Sequence, residues 1–357
     1  MDNLTHSLFA LTLAQTPLRR AGRGTAWTLV VASNVPDSDI VAAVAGGGEA
    51  YLSVHRGTSH GPVGALALGL VAAGLAYAGL RWRRWRRPPP APGADPGDAS
   101  FPALAGLALL GTLSHVLMDL PTSYGTRLLS PIDWTWYAVD VMPIIDVYLW
   151  ALLVSGLVAV RLAPRRRAAV AAVVLLLMLG YYGARFTLHE RALEAASPPG
   201  SPAPATLSAW PDAPTPKLPG DFPCDAGTCD LGTAALPTFG SPFRWRIVRR
   251  FSNGYQVGDL DLRDAAERRV EWIPHETGAA LDAGRRAPVT RAFLAFSRFP
   301  AAQIERDGAD TVVRMQDVRF LDRPVPERGE EFRPGGLFSV FLRVDPSGRI
   351  LDDRFGN

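Results

Sequence analysis

The chain has 357 residues, of which 48% are hydrophobic and only 20% charged, and 37 basic side chains against 34 acidic ones leave a formal net charge of +3. That balance excludes a wholly disordered protein and argues against an ordinary single soluble domain. Every basic residue but Lys217 is an arginine, and the arginines fall in short runs beside apolar stretches rather than on one broad basic face, so nucleic acid is not an expected partner.

Apolar residues crowd the first 190 positions. Residues 4–18 are apolar but short and hold His6, and residues 26–47 are interrupted by Asn-Val-Pro-Asp-Ser-Asp at 34–39; both are expected to be membrane-embedded or re-entrant. Residues 61–80 carry no charge over the roughly 20 positions that a bilayer core requires, which predicts a transmembrane helix. Further spans are expected at 101–120, 141–160 and 168–184, making about five to six membrane segments within residues 1–190. The chain opens Met-Asp-Asn and places its arginines after the first apolar run, the reverse of a signal peptide, so the N-terminus is expected to be retained.

Cytoplasmic loops carry the basic excess. Arg19, Arg20 and Arg23 form one cluster, Arg81, Arg83, Arg84, Arg86 and Arg87 a second, and Arg161, Arg165, Arg166 and Arg167 a third; all three are expected in the cytoplasm. Threading the chain between them puts the N-terminus, residues 48–60, residues 121–140 and everything after about 186 outside. Residues 88–100 read as a cytoplasmic Pro/Gly linker and 191–220 as a Pro-rich linker leaving the membrane.

Residues 221–357 carry strand signals. Runs 243–251 and 255–262 flank Ser-Asn-Gly, and 292–299, 311–321 and 337–344 are rich in β-formers, the last followed by Asp-Pro-Ser-Gly. The expected fold is a polytopic α-helical membrane bundle with a C-terminal extracytoplasmic, mainly antiparallel β domain. Cys224 and Cys229 sit close enough in sequence for one local disulfide, and equally for two free thiols.

The chemistry lies in polar residues that interrupt apolar sequence, where ionisable groups are costly and functional. Four of the six histidines, His6, His55, His60 and His115, precede residue 116. Asp2 with His6, and His115 with Asp119, stand four apart and share a helical face. His55 and His60 are five apart, about 140° on a helical wheel, and converge more easily from a loop. Pro36 breaks the helix so that Asp37 and Asp39 can turn toward a wet cavity. The arginine-derived topology sets His6, His55, His60, His115 and Asp119 near one extracytoplasmic face. Imidazole and carboxylate ligands without a nearby thiolate suit zinc, and also manganese or iron. A metal of this kind activates water, so hydrolysis is the expected reaction.

Each residue also has a plainer reading. His6 can be an interfacial polar residue, Asp37 and Asp39 a turn, His55 and His60 a loop or cap, and His115 with Asp119 an interhelical hydrogen-bonded pair. Arg56 is equally a headgroup contact or a charge stabiliser. The Trp and Tyr residues at 134–137 read as an interfacial belt, Asp140 and Asp146 as caps or site members, and His189 and His275 as ordinary surface residues.

The segments MDNLTHSLFA at 1–10, SNVPDSD at 33–39, HRGTSH at 55–60 and LLGTLSHVLMDLPTSYGTRLL at 109–129 closely resemble the bacterial YdjM-like family of membrane-bound, metal-dependent hydrolases of the inner membrane. The motifs occur in that family's order across roughly the first 150 residues, and SPFRWRIV with GYQVGDLDL resembles the β-rich extension of its longer members. The resemblance implies that His6, Asp37, Asp39, His55, His60, His115 and Asp119 form the polar signature, with Tyr124, Gly125 and Thr126 beside it; it names no substrate. The His-x-x-x-Asp pair is also similar to a short stretch of zinc-dependent phospholipases and nucleases, without their further His and Glu ligands.

The expected function is that of an integral inner-membrane metal-dependent hydrolase acting on a lipid or other phosphoester or ester at the extracytoplasmic face. His6, His55, His60, His115 and Asp119 would hold the metal, Asp37 or Asp39 would ligate it or act as base, and Arg56 would stabilise negative charge. The alternative is a non-enzymatic membrane metal-binding or transport protein whose β domain binds a partner. The expected surroundings are the lipid bilayer in either case.

Overall fold

The computed structural model describes residues 1–86, 97–197, 206–224, 227–264, 266–321 and 338–355. The chain divides into two compact units, one made of Met1–Asp39 and Arg56–Phe186, the other of Ile40–His55 and Thr187–Asn357. Most of the linker expected at 88–100, the stretch 198–205 of that expected at 191–220, Arg87 and Leu337 lie outside the described residues.

The first unit is helical. Helix α1 (Asn3–Leu13) begins at Asp2, whose carboxylate accepts the Thr5 N–H at 3.0 Å, so Asp2 caps the helix instead of joining His6 in a site. Helix α2 (Thr25–Ala32) gives way to a 3-10 turn at Val35–Ile40, as Pro36 dictates. The next helix, α3 (Val41–Val54), belongs largely to the second unit. Helices α4 (Pro62–Arg86) and α5 (Phe101–Asp119) follow, the latter capped by the Ser100 hydroxyl on the Ala103 N–H.

A short strand β1 (Trp136–Ala138) precedes α6 (Val147–Leu162) and α7 (Arg167–Ala196). Three helices, Pro62–Arg86, Phe101–Asp119 and Pro164–Ala196, are long and apolar enough to cross a membrane; residues 25–54 are apolar but broken, and α6 is shorter.

The span expected at 141–160 therefore starts late. Val141 and Met142 donate their backbone N–H groups to Pro121 O, Pro143 disfavours helix at its predecessor, and Asp146 caps α6 through the Tyr148 and Leu149 N–H groups. That settles Asp146 as a cap. Helix α7 runs past the expected end at 184, because buried Arg185 donates to Val141 O and Ala192, Leu193 and Ala196 then enter a core with Trp245 and Ile247.

The aromatic belt expected at 134–137 is corrected in part. Trp136 is fully buried, with the Arg127 guanidinium 4.2 Å from its ring centre, so it is a packing residue and only Trp134 stays exposed.

The second unit is built on two antiparallel four-stranded meanders. After β2 (Ser208–Trp210), strands β3 (Asp230–Pro237), β4 (Arg244–Phe251), β5 (Gly254–Asp261) and β6 (Ala266–Pro274) pair in that order, and Ser252 and Asn253 turn the expected hairpin. Helices α8 (Ala279–Gly284) and α9 (Pro288–Phe296) lead into β7 (Pro300–Asp307), β8 (Asp310–Asp317), β9 (Ser339–Val344) and β10 (Ile350–Phe355), the second meander. Cys224 and Cys229 form a disulfide.

The strand expected at 292–299 is thus largely helix. Pro288 opens it, and Thr290, Phe293 and Leu294 are buried at helical spacing, Phe293 and Leu294 in a core with Leu281, Ala302, Val313 and Leu342. The strand expected through 321 stops at Asp317, whose carboxylate takes the Arg319 N–H and starts a 3-10 turn.

Neither lone histidine is a surface residue. His189 is buried against Trp245 with ring centres 5.4 Å apart, and His275 is buried with Nδ1 accepting the Ala302 N–H at 3.2 Å. Lys217 is buried too, its ammonium donating to Ser297 O at 3.1 Å, and burial draws its pKa down to about 7.

Burial, reinforced by Arg285, likewise lowers the His275 pKa to about 4. Between pH 4 and the ordinary value near 6.5 the unfolded chain binds a proton that folded His275 does not, so its contribution to stability rises with pH across that window and is lost as pH falls through it. We expect urea unfolding of the full chain, followed by tryptophan fluorescence, to lose up to roughly 3 kcal/mol between pH 6.5 and 4 from this source. His275→Gln, which keeps an acceptor for Ala302 without titrating, should flatten that part of the curve; an unchanged slope would refute the assignment.

Candidate metal centre

Within the first unit, the helix break after Ala32, the loop before α4 and the end of α5 bring Asp37, His60, His115 and Asp119 together. One donor atom from each lies within 4.8 Å of the others, an arrangement that could hold a metal ion. His60 Nε2 and His115 Nε2 are 3.1 Å apart. Asp37 Oδ1 is 3.5 Å from His60 Nε2 and 3.4 Å from His115 Nε2, and Asp119 Oδ2 is 3.3 Å and 3.4 Å from the same two atoms. A tetrahedral ion with bonds of about 2.0–2.1 Å separates its donors by roughly 3.3–3.4 Å. Five edges of that figure are therefore present.

Hydrogen bonds behind the imidazoles fix which atoms face inward. His115 Nδ1 lies 2.8 Å from Ser33 O, a pure acceptor, so Nδ1 carries the proton and Nε2 presents a lone pair. The Ser59 hydroxyl donates to Asp39 Oδ2 at 2.8 Å, and its oxygen lies 2.9 Å from His60 Nδ1, which must then be the donor. His60 Nε2 thus also presents a lone pair. Two imidazole lone pairs facing each other at 3.1 Å cannot hydrogen-bond, and among the described residues no donor reaches Asp37 Oδ1 or Asp119 Oδ2. Buried carboxylate oxygens without partners are costly, and one cation between them would answer both while taking the two imidazole lone pairs. The residues fit a metal.

Asp119 divides its two oxygens. Oδ2 faces the donors just described, while Oδ1 pairs with the Arg56 guanidinium at 3.2 Å and with the Met1 amine. Arg56 is buried over the Tyr124 ring, 4.7 Å from its centre, and donates to Thr122 Oγ and Gly125 O. Its burial rules out the headgroup-contact reading. The backbone of Arg56 is left-handed, with φ of 50°, a conformation costing a non-glycine residue roughly 1 kcal/mol or more. It is held there because its N–H donates to Asp39 Oδ2 and its carbonyl accepts the Arg127 N–H. Gly61 permits the loop to close: a Cβ there would sit 1.9 Å from Ser130 O.

The remaining expected site residues take different places. His6 is fully buried and stacks on His115 with ring centres 4.0 Å apart; its Nε2 is 3.4 Å from Asp119 Oδ1, beside the four donors and not among them. Asp39 serves the loop through Arg56 and Ser59. His55 closes α3 in the second unit, stacked on Tyr51 at 4.4 Å. Sequence reasoning missed Ser33 and Thr122, and it reads Ser59 with Pro62 only as the start of the next helix. Ser59 alone carried a signal, its place between two histidines.

Two variants test the donor arrangement. His115→Ala should abolish metal retention through chelator washes, because it removes a donor outright. Ser59→Ala should weaken affinity about 10–100-fold in competition with a chelating dye, because it frees His60 to change tautomer and tilt. Wild-type affinity in both would dismiss the site.

The family model described as YdjM inner membrane protein matches residues 1–192. No curated protein and no solved structure matches the chain. The matched region contains the apolar helices and all four converging donors. The chain belongs to the YdjM family of inner membrane proteins.

Proposed function

We propose that the protein is a metal-dependent hydrolase of a lipid or other phosphoester or ester. The observation that carries the reading is the facing of the two imidazole lone pairs and two carboxylate oxygens, with the Arg56 guanidinium against one of the same carboxylates. Zinc fits this donor set best, with manganese or iron compatible. Held by His60, His115 and Asp119, with Asp37 at a fourth position that can yield to water, the ion would supply an activated water and a Lewis acid for a phosphoryl or carbonyl oxygen.

The chain's own residues divide the other work. Asp37, with a side chain 13% exposed while the other three are fully buried, forms the rim from which a water proton can be taken. Arg56 pairs with Asp119 and adds a fixed positive field where negative charge develops. Asp39 acts through Ser59 to keep the His60 ring in register.

The β-rich unit is proposed to lie outside the cytoplasm. Supporting this are the arginines of the turn at Pro17–Ala21, of the end of α4 and of the α6–α7 junction, together with a disulfide suited to an oxidising compartment. Reporter fusions after residue 90 and after residue 200 should report opposite compartments. Two cytoplasmic signals would overturn the orientation.

For the chemistry, the full chain in lipid nanodiscs, loaded in turn with zinc, manganese and iron, is screened against phospholipids and chromogenic phosphoesters and carboxylic esters. Turnover is expected, and at saturating metal Asp37→Asn should lower kcat by about 10²–10⁴. Full metal stoichiometry with no turnover would favour the second reading, a closed structural or transport site, to which four protein donors at tetrahedral spacing also conform.

A further inference from the structure

A second polar feature of the helical unit lies apart from the four donors. Where α6 turns through Pro164 into α7, Gln15, Leu157, Val160, Arg161, Pro164 and Arg167 line a cavity of about 240 Å³. Its lining is mixed: two guanidiniums and an amide together with two aliphatic side chains and a proline ring. Arg167 Nε is fixed by Pro164 O at 3.0 Å, which preorganises that guanidinium at the cavity wall. Among the described residues no carboxylate pairs with Arg161 or Arg167. The cavity therefore concentrates positive charge without an internal counterion.

The helix that lines the cavity also exposes aliphatic side chains. Val158 and Leu162, on the same helix as Arg161, are 53% and 79% exposed in a chain whose neighbouring helices are apolar enough to cross a membrane. A ligand that satisfies both halves carries a phosphate to pair with the guanidiniums and hydrocarbon to cover the aliphatic side chains. We propose that this cavity is a binding site for the phosphodiester headgroup of an anionic membrane lipid, with its acyl chains lying along Val158 and Leu162. The assignment is independent of the hydrolase reading, since it uses none of the residues of the metal centre.

The test uses the full detergent-solubilised chain and native mass spectrometry, titrated with phosphatidylglycerol and, separately, phosphatidylcholine. Preferential retention of phosphatidylglycerol is expected. Arg161→Gln combined with Arg167→Gln should reduce that preference by roughly 20-fold, at about fivefold for each arginine. Arg165→Gln with Arg166→Gln removes the same charge from side chains outside the cavity and should leave the preference within about twofold. Equal loss in both double variants would show diffuse basic attraction and overturn the site. Displacement of the lipid by millimolar inorganic phosphate would reassign the cavity to a free anion and overturn the lipid. Should the cavity double variant fail to fold, judged by retained metal and a single size-exclusion peak, Arg161→Gln alone carries the same comparison at about fivefold.

Discussion

The helical unit is organised around two imidazole nitrogens that face each other with their lone pairs inward. Against this pair sit two carboxylate oxygens, Asp37 Oδ1 and Asp119 Oδ2, that have no hydrogen-bond donor among the described residues. Isolated buried charge of this kind is tolerated only when something compensates it, and the surrounding structure reads as the means of holding the four atoms still until that happens. Ser33 O and Ser59 Oγ lock the two rings from behind, and Arg56 neutralises the outer oxygen of Asp119.

These constraints explain irregularities that would otherwise be defects. The helix break at Pro36 exposes the Ser33 carbonyl for His115 and turns Asp37 inward. Two residues on, Asp39 takes the Arg56 N–H and the Ser59 hydroxyl together, so a single carboxylate joins the broken segment to the loop carrying His60. A left-handed arginine and a glycine pressed on Ser130 O complete the loop. Backbone strain of this size persists where surrounding contacts overdetermine it, as they do here. On α5, Gly111 plays a related part, since a Cβ there would lie 2.7 Å from Ala32 Cβ and force the broken helix away from His115.

Much of this was legible in the residues. The four-residue spacing of His115 and Asp119, the proline before Asp37 and the uncharged run before the second arginine cluster each follow from helix geometry or from the cost of burying polar groups. Less legible were partners supplied by main-chain atoms: nothing in a serine's identity announces that its carbonyl will orient a histidine 82 positions away. The helix at Pro288–Phe296 was hidden by its aromatic content, although Pro288 and the spacing of Thr290, Phe293 and Leu294 spell it out. The late start of α6 follows from Pro143 and the Asp146 cap, signals outweighed by a long apolar run. His189 and His275 were misjudged because packing in a β-rich core leaves no local periodicity around a single imidazole.

The crosslink made by Asp39 also bears on how firmly the centre can hold an ion. Three of the four donor side chains are fully buried, and the fourth belongs to the 3-10 turn tied down at Asp39. An ion filling the centre would join that turn to α5 and to the loop before α4, so holding the ion would be coupled to the free energy of opening the turn. The hydrogen bonds of Asp39 to Arg56 and Ser59, which hold the turn to the loop carrying His60, would share in that coupling. Loosening Asp39 would then cost metal affinity at a distance, and a bound ion would in turn protect the turn against local opening.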